Sequence, residues 1–269
     1  MKYDMHVHTY LSDCASRDAF ADGYIKLAEE YGQSILGFAD HAWAEGVPGV
    51  SEWYKPQTFS RLVKQKEELH AKSSSVKLLQ GAEGEYANFL LGIDEDAAAI
   101  ADYILIPHDH IHMSGFVVPV GYEPPAKMAC FLLDSFEAIC KHPKRNLITA
   151  LCHPLIPCCK PTSYVNEVLT EITDAQMEEA LTAAKETDMM LELNTSCFAK
   201  LQTEEDFKSY EYMRFVALAK EKGNVLYWGS DAHSHERYRY LHDIAPKILS
   251  YTGLTEEDFT EAERRMLQL

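Results

Sequence analysis

Short apolar runs alternate with helical patterns along the whole chain, and this alternation constrains the fold more than any other feature. The apolar runs have the length and composition of buried strands. Seven of them predict strands, at Lys2–His6, Ile35–Ala39, Val76–Gln80, Tyr103–Ile106, Leu147–Cys152, Met189–Leu193 and Val225–Trp228. The segments between them predict helices, at Asp18–Tyr31, Thr58–Lys72, Asp94–Ala101, Ala126–Lys141, Asp174–Thr187 and Thr203–Lys222. Strands that alternate with helices favour an α/β fold with a parallel sheet.

Seven β/α units in succession favour a closed barrel over an open sheet. No glycine-rich phosphate turn follows a strand, as a doubly wound dinucleotide-binding sheet would require. The chain has 269 residues, 46% of them hydrophobic, which is enough for one large core. We therefore expect a distorted (β/α)7 TIM-like barrel that forms a single domain over residues 1–269.

The charge balance restricts the partners of this chain. It has 42 acidic and 25 basic residues and a formal net charge of -17, so its surface repels phosphate backbones and anionic membranes. Long nucleic acid is therefore not an expected partner. No apolar stretch reaches the ~20 residues needed to cross a bilayer. The odd number of cysteines, seven, argues against a disulfide framework, and we expect a cytoplasmic protein.

Polar side chains that can bind metal cluster at the carboxyl ends of the predicted strands. Barrel enzymes build their active sites at this end. Imidazole and carboxylate groups bind zinc, manganese and iron in proteins. The sequence therefore predicts a metal-dependent hydrolase. The candidate residues are His6, His8, Asp40, His41, Glu83, His110, His153, Asn194, Asp231 and His233.

The segment after the fourth strand offers three histidines at alternate positions. His108, His110 and His112 would share one face if the strand continued through them. We favour His110 as the ligand, because this choice leaves His108 and His112 to reach a substrate or a neighbouring metal.

Five of these segments resemble, in order, the motifs of the PHP (polymerase and histidinol phosphatase) family of metal-dependent phosphoesterases. The segments are Asp4–Ser12, Phe38–His41, Gly81–Glu83, Cys152–Pro154 and Gly229–His233. Each motif is short, but five in the family's order make a strong joint signal. The resemblance implies a distorted seven-stranded β/α barrel, and the chain is most similar to the stand-alone, histidinol-phosphatase-like members.

The resemblance also implies two or three divalent cations. One cation would be held by His6, His8, Glu83 and Asp231. A second would be held by His110, His153 and the same Glu83, which would bridge the two. A third, where the family has one, uses His41, His233 and a residue shortly after the first motif. This chain has Asp13 and Cys14 there, which leaves a two-metal enzyme equally plausible.

The implied chemistry is hydrolysis of a small phosphorylated metabolite, such as L-histidinol phosphate, by a metal-activated hydroxide. His41, Asp231 and His233 would serve at the reaction centre, with Asp40 orienting a neighbouring ligand. His233, or an unligated His108 or His112, could protonate the leaving group. Four basic residues near the motifs could bind a phosphate oxygen, namely Arg17, Lys160, Lys200 and Arg237. Asn194 is a further candidate for contacting the substrate.

Three alternatives stay open at the level of sequence. A nucleotide or another sugar phosphate could replace histidinol phosphate as substrate. DNA-end processing is disfavoured by the net charge of -17. Amidohydrolase barrels, which cleave C–N bonds, commonly bridge their metals through a modified lysine at a strand end, and Glu83 takes that place here.

Overall fold

The structure is a computed structural model that describes residues 1–269. Its strands are β1 Tyr3–Val7, β2 Ile35–Phe38, β3 Lys77–Gln80, β4 Ala82–Glu83, β5 Tyr86–Ala87, β6 Leu90–Leu91, β7 Ile104–Ile106, β8 Ala150–Leu151, β9 Met190–Asn194 and β10 Leu226–Gly229. Its α-helices are α1 Ala21–Glu30, α2 Leu62–His70, α3 Glu95–Ile100, α4 Pro125–Cys140, α5 Thr162–Thr170, α6 Asp174–Glu186, α7 Glu204–Lys208, α8 Tyr212–Lys222, α9 His235–Asp243, α10 Ala245–Thr252 and α11 Thr260–Met266.

Two parallel sheets meet where β3 and β4 are separated by Gly81 alone. The first sheet has the order β1-β2-β3 and the second the order β10-β9-β8-β7-β4. A Cβ at Gly81 would collide with the ring of Tyr103, so only glycine allows this ring to pack against the interruption. The Tyr103 hydroxyl donates to the carbonyl oxygens of Met5 (2.8 Å) and Phe38 (3.1 Å), and thereby ties β1 and β2 to the break.

Backbone hydrogen bonds also join the two sheets on their other side. The amide of Asp231 donates to the carbonyl of His6 over 2.7 Å, and the amide of His8 donates to the carbonyl of Ala232 over 2.9 Å. These contacts complete a ring of seven parallel strands and confirm the predicted distorted (β/α)7 barrel. Because the strands are parallel, all their carboxyl ends lie at one end of the ring.

The helices cover the outside of the ring with one apolar face each. In α4 the buried side chains include Met128, Leu132, Phe136 and Ile139, whose spacing places them along one face. A capping box between Thr173 and Gln176 starts α6. No helix is both long enough and apolar enough to span a membrane.

The structure differs from the sequence prediction in two respects. The predicted helix Thr203–Lys222 is two helices, α7 and α8, separated by residues 209–211. The helices α5, α9, α10 and α11 and the antiparallel β5–β6 hairpin were not predicted. The fourth strand, β7, ends at Ile106 as predicted, so the alternation that a longer strand would give His108, His110 and His112 does not arise.

Candidate metal centre

The first predicted donor set meets at one oxygen of Glu83. Glu83 Oε2 lies 3.4 Å from His6 Nε2 and 3.3 Å from His8 Nε2. His8 Nε2 is 3.2 Å from Asp231 Oδ1 and 3.1 Å from His6 Nε2. Two atoms that both bind one zinc ion at about 2.1 Å are about 3.0–3.4 Å apart, as tetrahedral or octahedral geometry requires. These four side chains therefore fit a single divalent cation with little movement.

The second donor set meets at the other oxygen of the same carboxylate. Glu83 Oε1 lies 2.9 Å from His153 Nε2 and 3.5 Å from His110 Nε2. Glu83 is 1% exposed, so neither oxygen is shared with bulk water. The structure thus brings together both predicted sets, with Glu83 between them, and of the three candidate histidines it places His110 beside this carboxylate.

A third group of imidazoles lies beside the first set. The donor atoms of His8, His41 and His233 lie within 4.8 Å of one another. The rings of His8 and His233 stack with their centroids 4.2 Å apart, and His41 Nδ1 is 3.1 Å from Glu83 Oε2. The structure gathers His8 with His41 and His233, whereas the sequence points to Asp13 or Cys14. Cys14 lines the same cleft, and Asp13 is exposed.

Glu192, a residue that the sequence reasoning missed, supports both donor sets. Its Oε1 lies 2.7 Å from His6 Nδ1, and its Oε2 accepts the backbone N–H of His153 over 2.6 Å. A Cβ at Gly229 would overlap this carboxylate, so the glycine is needed for its close approach. Asn194 donates to Glu192 (3.2 Å) and to Asp231 Oδ2 (3.3 Å). The sequence signal for Glu192 is a charged residue inside an otherwise apolar predicted strand.

Two more buried carboxylates orient the second set. Glu85 Oε2 lies 2.6 Å from His110 Nδ1, and Asp109 Oδ1 lies 2.6 Å from His153 Nδ1. Each carboxylate can accept the Nδ1–H proton, which leaves Nε2 of the same ring as a lone-pair donor facing Glu83. Both residues adjoin predicted ligands in sequence, but nothing in the sequence indicates which neighbour turns inward.

Asp40 does not enter the cleft, although the sequence places it among the catalytic candidates. It is fully buried and accepts hydrogen bonds from the amide and hydroxyl of Thr9 (2.7 and 2.8 Å) and from the hydroxyl of Ser12 (2.7 Å). The same Ser12 oxygen lies 3.0 Å from His8 Nδ1. Asp40 therefore positions His8 through Ser12, which agrees with the expected orienting role and not with direct contact to substrate.

The two remaining histidines of the fourth segment have different surroundings. His108 is fully buried, with Nδ1 3.0 Å from the Ser135 hydroxyl and Nε2 accepting the amide of Leu155 over 3.1 Å. Burial lowers the pKa of His108 to about 3, so its ring is a neutral part of the core. The structure does not bring it to the cleft as a substrate contact. His112 is exposed and lines the cleft.

The charges of the cluster compensate one another. Burial alone would raise the pKa of Glu83, but the imidazoles of His41 and His6 hold it well below its usual range. Burial lowers the pKa of His41 well below 6.5, and burial together with the adjacent His8 lowers the pKa of His233 to about 4. Glu83, His41 and His233 are thus in the forms that bind metal, an anion and neutral rings. At His6, His110 and His153, nearby carboxylates outweigh burial and raise the pKa of the imidazole, so a cation would have to displace protons there.

The backbone is strained at two of the donors. His153 has φ 32° and Asp231 has φ 54°, values in the left-handed region that non-glycine residues rarely adopt. Such a conformation costs on the order of 1–3 kcal/mol and persists only where the surrounding structure holds it. The amide of His153 is held by Glu192, and the amide of Asp231 by the His6 carbonyl. This strain aims the two side chains into the cluster.

A cleft of about 540 Å³ opens over the cluster. It is lined by the donors Glu83, His41, His110, His153, Asp231 and His233 and by the predicted substrate contacts His112, Asn194, Lys200 and Arg237. Lys160, the third basic residue of its lining, follows Cys158 and Cys159. Arg17, the fourth basic candidate, is exposed and does not line the cleft.

Comparison with known proteins finds the fold but no sequence relative. No family model and no curated protein sequence matches the chain. A histidinol phosphate phosphatase from Lactococcus lactis, solved with zinc, L-histidinol and phosphate, is similar in structure with a TM-score of 0.59 and 16% identity over 94% of each chain. A proposed histidinol phosphatase from Listeria monocytogenes has a TM-score of 0.62 and 17% identity over 88% of this chain and 97% of its own.

A chain in archaeal ribonuclease P with mature tRNA is also similar, with a TM-score of 0.50 and 11% identity over 97% of this chain and 89% of its own. At such identities the likeness concerns the fold. The barrel is therefore of the kind that the motif resemblance implied.

Proposed function

We propose that this chain hydrolyses small phosphomonoesters with two or three divalent cations held around Glu83. The observation that carries the proposal is the position of this carboxylate, whose two oxygens face two separate sets of imidazoles. Bound in such a pair, zinc, manganese or iron ions lower the pKa of a water molecule toward neutrality and neutralise charge on phosphoryl oxygens.

The chain's own residues would prepare the site for this chemistry. Glu192, Glu85 and Asp109 lie behind the imidazole donors and accept hydrogen bonds from their Nδ1–H groups, and so fix which nitrogen faces inward. Asn194 donates a hydrogen bond to Oδ2 of Asp231 and so positions that carboxylate. Because these carboxylates are buried and hydrogen-bonded to the imidazoles, the donors are already in place before a cation binds. This lowers the free-energy cost of ordering them on binding.

The cleft supports a small substrate. A volume of about 540 Å³ is typical of sites for small metabolites. L-histidinol phosphate is the substrate that the motif resemblance implies, and the Lactococcus neighbour was solved with L-histidinol and phosphate. Nucleotides and other sugar phosphates are the alternative, which the basic side chains of Lys160, Lys200 and Arg237 favour.

The leaving alkoxide requires a proton donor. Of the three histidines considered for this role, His112 lines the cleft without a carboxylate partner, whereas His233 packs on His8 and His108 is buried. We therefore assign the proton donor to His112. His233 and His41 then serve as ligands, because His233 packs on His8 and His41 Nδ1 lies 3.1 Å from Glu83 Oε2.

Metal analysis combined with a substrate panel tests the proposal. The purified protein is assayed for bound metal and for release of phosphate from phosphomonoesters and phosphodiesters, L-histidinol phosphate included, before and after chelation. We expect at least two metal ions per chain and phosphomonoester hydrolysis that chelation abolishes and added metal restores. Stoichiometric metal without turnover of any phosphoester would contradict the proposal and favour C–N hydrolysis instead.

A further inference from the structure

Every basic residue that lines the cleft lacks a salt-bridge partner. In a chain with 42 acidic residues, Lys160, Lys200 and Arg237 form no ion pair, whereas the exposed Lys141, for example, pairs with Glu137. Arg237 contacts only neutral groups, the carbonyl of Ser196 over 3.4 Å and the ring of Tyr240. Three unpaired cations are thus available to a ligand.

These cations follow three neighbouring strands of the ring, β8, β9 and β10. Lys160 follows β8, and its Nζ lies 5.7 Å from the centroid of the Tyr164 ring. Lys200 follows β9, and Arg237 lies in the first turn of α9, four residues after the third-set histidine His233. Positive charge therefore lies along one side of the cleft, beside the donor cluster at which the reacting phosphoryl group would bind.

The cleft has no carboxylate outside the donor sets. Glu83 and Asp231 are the only carboxylates that line it, and both belong to the donor sets. A cationic substrate group, such as the ammonium of L-histidinol, would meet three cations and no free carboxylate. Like charges brought together in a partly desolvated cleft weaken binding.

We infer that the substrate carries a second anionic group on its leaving side, a carboxylate or a second phosphate, held by Lys160, Lys200 and Arg237. The inference rests on the proposed function for the identity of the reacting group and narrows the substrate class. It favours a doubly anionic sugar phosphate or nucleotide over histidinol phosphate. Charge-assisted hydrogen bonds from lysine and arginine supply the recognition.

A size-matched series of six-carbon phosphomonoesters tests the inference on the metal-loaded protein. Glucosamine 6-phosphate has a cationic leaving group, glucose 6-phosphate a neutral one and 6-phosphogluconate an anionic one, while glucose 1,6-bisphosphate adds a second phosphate. We expect kcat/KM to rise in this order of charge, with an anionic member at least about tenfold above the neutral one, as one charge-assisted contact provides. The two anionic members distinguish a carboxylate from a phosphate.

Variants distinguish two roles for these cations, binding a second anionic group or binding the reacting phosphoryl group itself. Lys160→Gln, Lys200→Gln and Arg237→Gln should each reduce the ratio of kcat/KM for the anionic esters to kcat/KM for the neutral ester. Lys26→Gln is the matched control, because Lys26 is exposed, forms no ion pair and lies on α1 away from the cleft. Equal constants across the series, a preference for glucosamine 6-phosphate, or an equal loss for every ester in the three variants would overturn the inference.

Calorimetric titration of the same esters keeps the two proposals distinguishable. If no ester is hydrolysed, the proposed function fails, and the order of the dissociation constants still decides the inference. Tighter binding of the anionic esters supports a second anion site. Equal binding, or tighter binding of glucosamine 6-phosphate, refutes it.

Discussion

Replacing Glu83 with glutamine tests the bridging carboxylate most directly, because it removes one negative charge and preserves size. The structure places five imidazole nitrogens within 3.5 Å of this carboxylate, three on one oxygen and two on the other. Removing one partner of a buried charged pair costs about 3–5 kcal/mol. If each cation depends on Glu83 to this extent, the affinity of each should fall roughly 10²-fold or more.

Zinc titration of the metal-free protein by calorimetry measures this loss. We expect Glu83→Gln to weaken both sites, while Asp231→Asn, which alters a ligand of the first set, weakens only one. Circular dichroism should show that Glu83→Gln retains the folded barrel, since the amide fills the same space. Full metal content and activity in Glu83→Gln, or the loss of only one cation, would refute the bridging assignment.

Further predictions concern the groups around the donors. Glu192→Gln should weaken zinc binding about 10–100-fold in the same titration, because His6 loses the acceptor that orients it. Burial would lower the pKa of His8, but Asp231 and Glu83 raise it to about 8. Protons should therefore compete with zinc below pH 8 and lower its affinity by about tenfold per pH unit for each proton displaced. A zinc affinity that stays constant from pH 8 to 6 would contradict this. Protonated His8 should stabilise the metal-free fold by about 2 kcal/mol below pH 6.5, an effect lost as the pH rises through about 8, which urea unfolding at pH 6.5 and 8.5 measures. Chelation should lower the melting temperature, since metal at 100 times its Kd stabilises by about 2.7 kcal/mol.

The fold followed from local patterns. Each of the seven predicted strands overlaps an observed strand, although of the predicted Leu147–Cys152 only Ala150–Leu151 is a strand. A strand buried on both faces requires a continuous apolar run, and such a run is visible without knowledge of its neighbours. Gly223 ends α8 in the left-handed conformation, as glycine after a helix predicts.

The donors of the two main sets could be placed at strand ends, but their partners could not. Glu192, Glu85 and Asp109 are buried because the folded chain brings an imidazole to each, and those contacts join residues far apart in sequence. His108 and His110 look equivalent in sequence. Only the end of β7 at Ile106 and the loop that follows send one into the core and the other to Glu83.

The sequence by itself determined the periodicities, the strand ends and the donor types, because side-chain chemistry and local spacing fix these. Tertiary structure alone decided which oxygen of Glu83 faces which imidazole, which carboxylates stand behind the donors and which cations remain unpaired in the cleft. These outcomes depend on distances across the ring of strands. Closure of that ring sets such distances to within a few tenths of an ångström, and no local pattern encodes them.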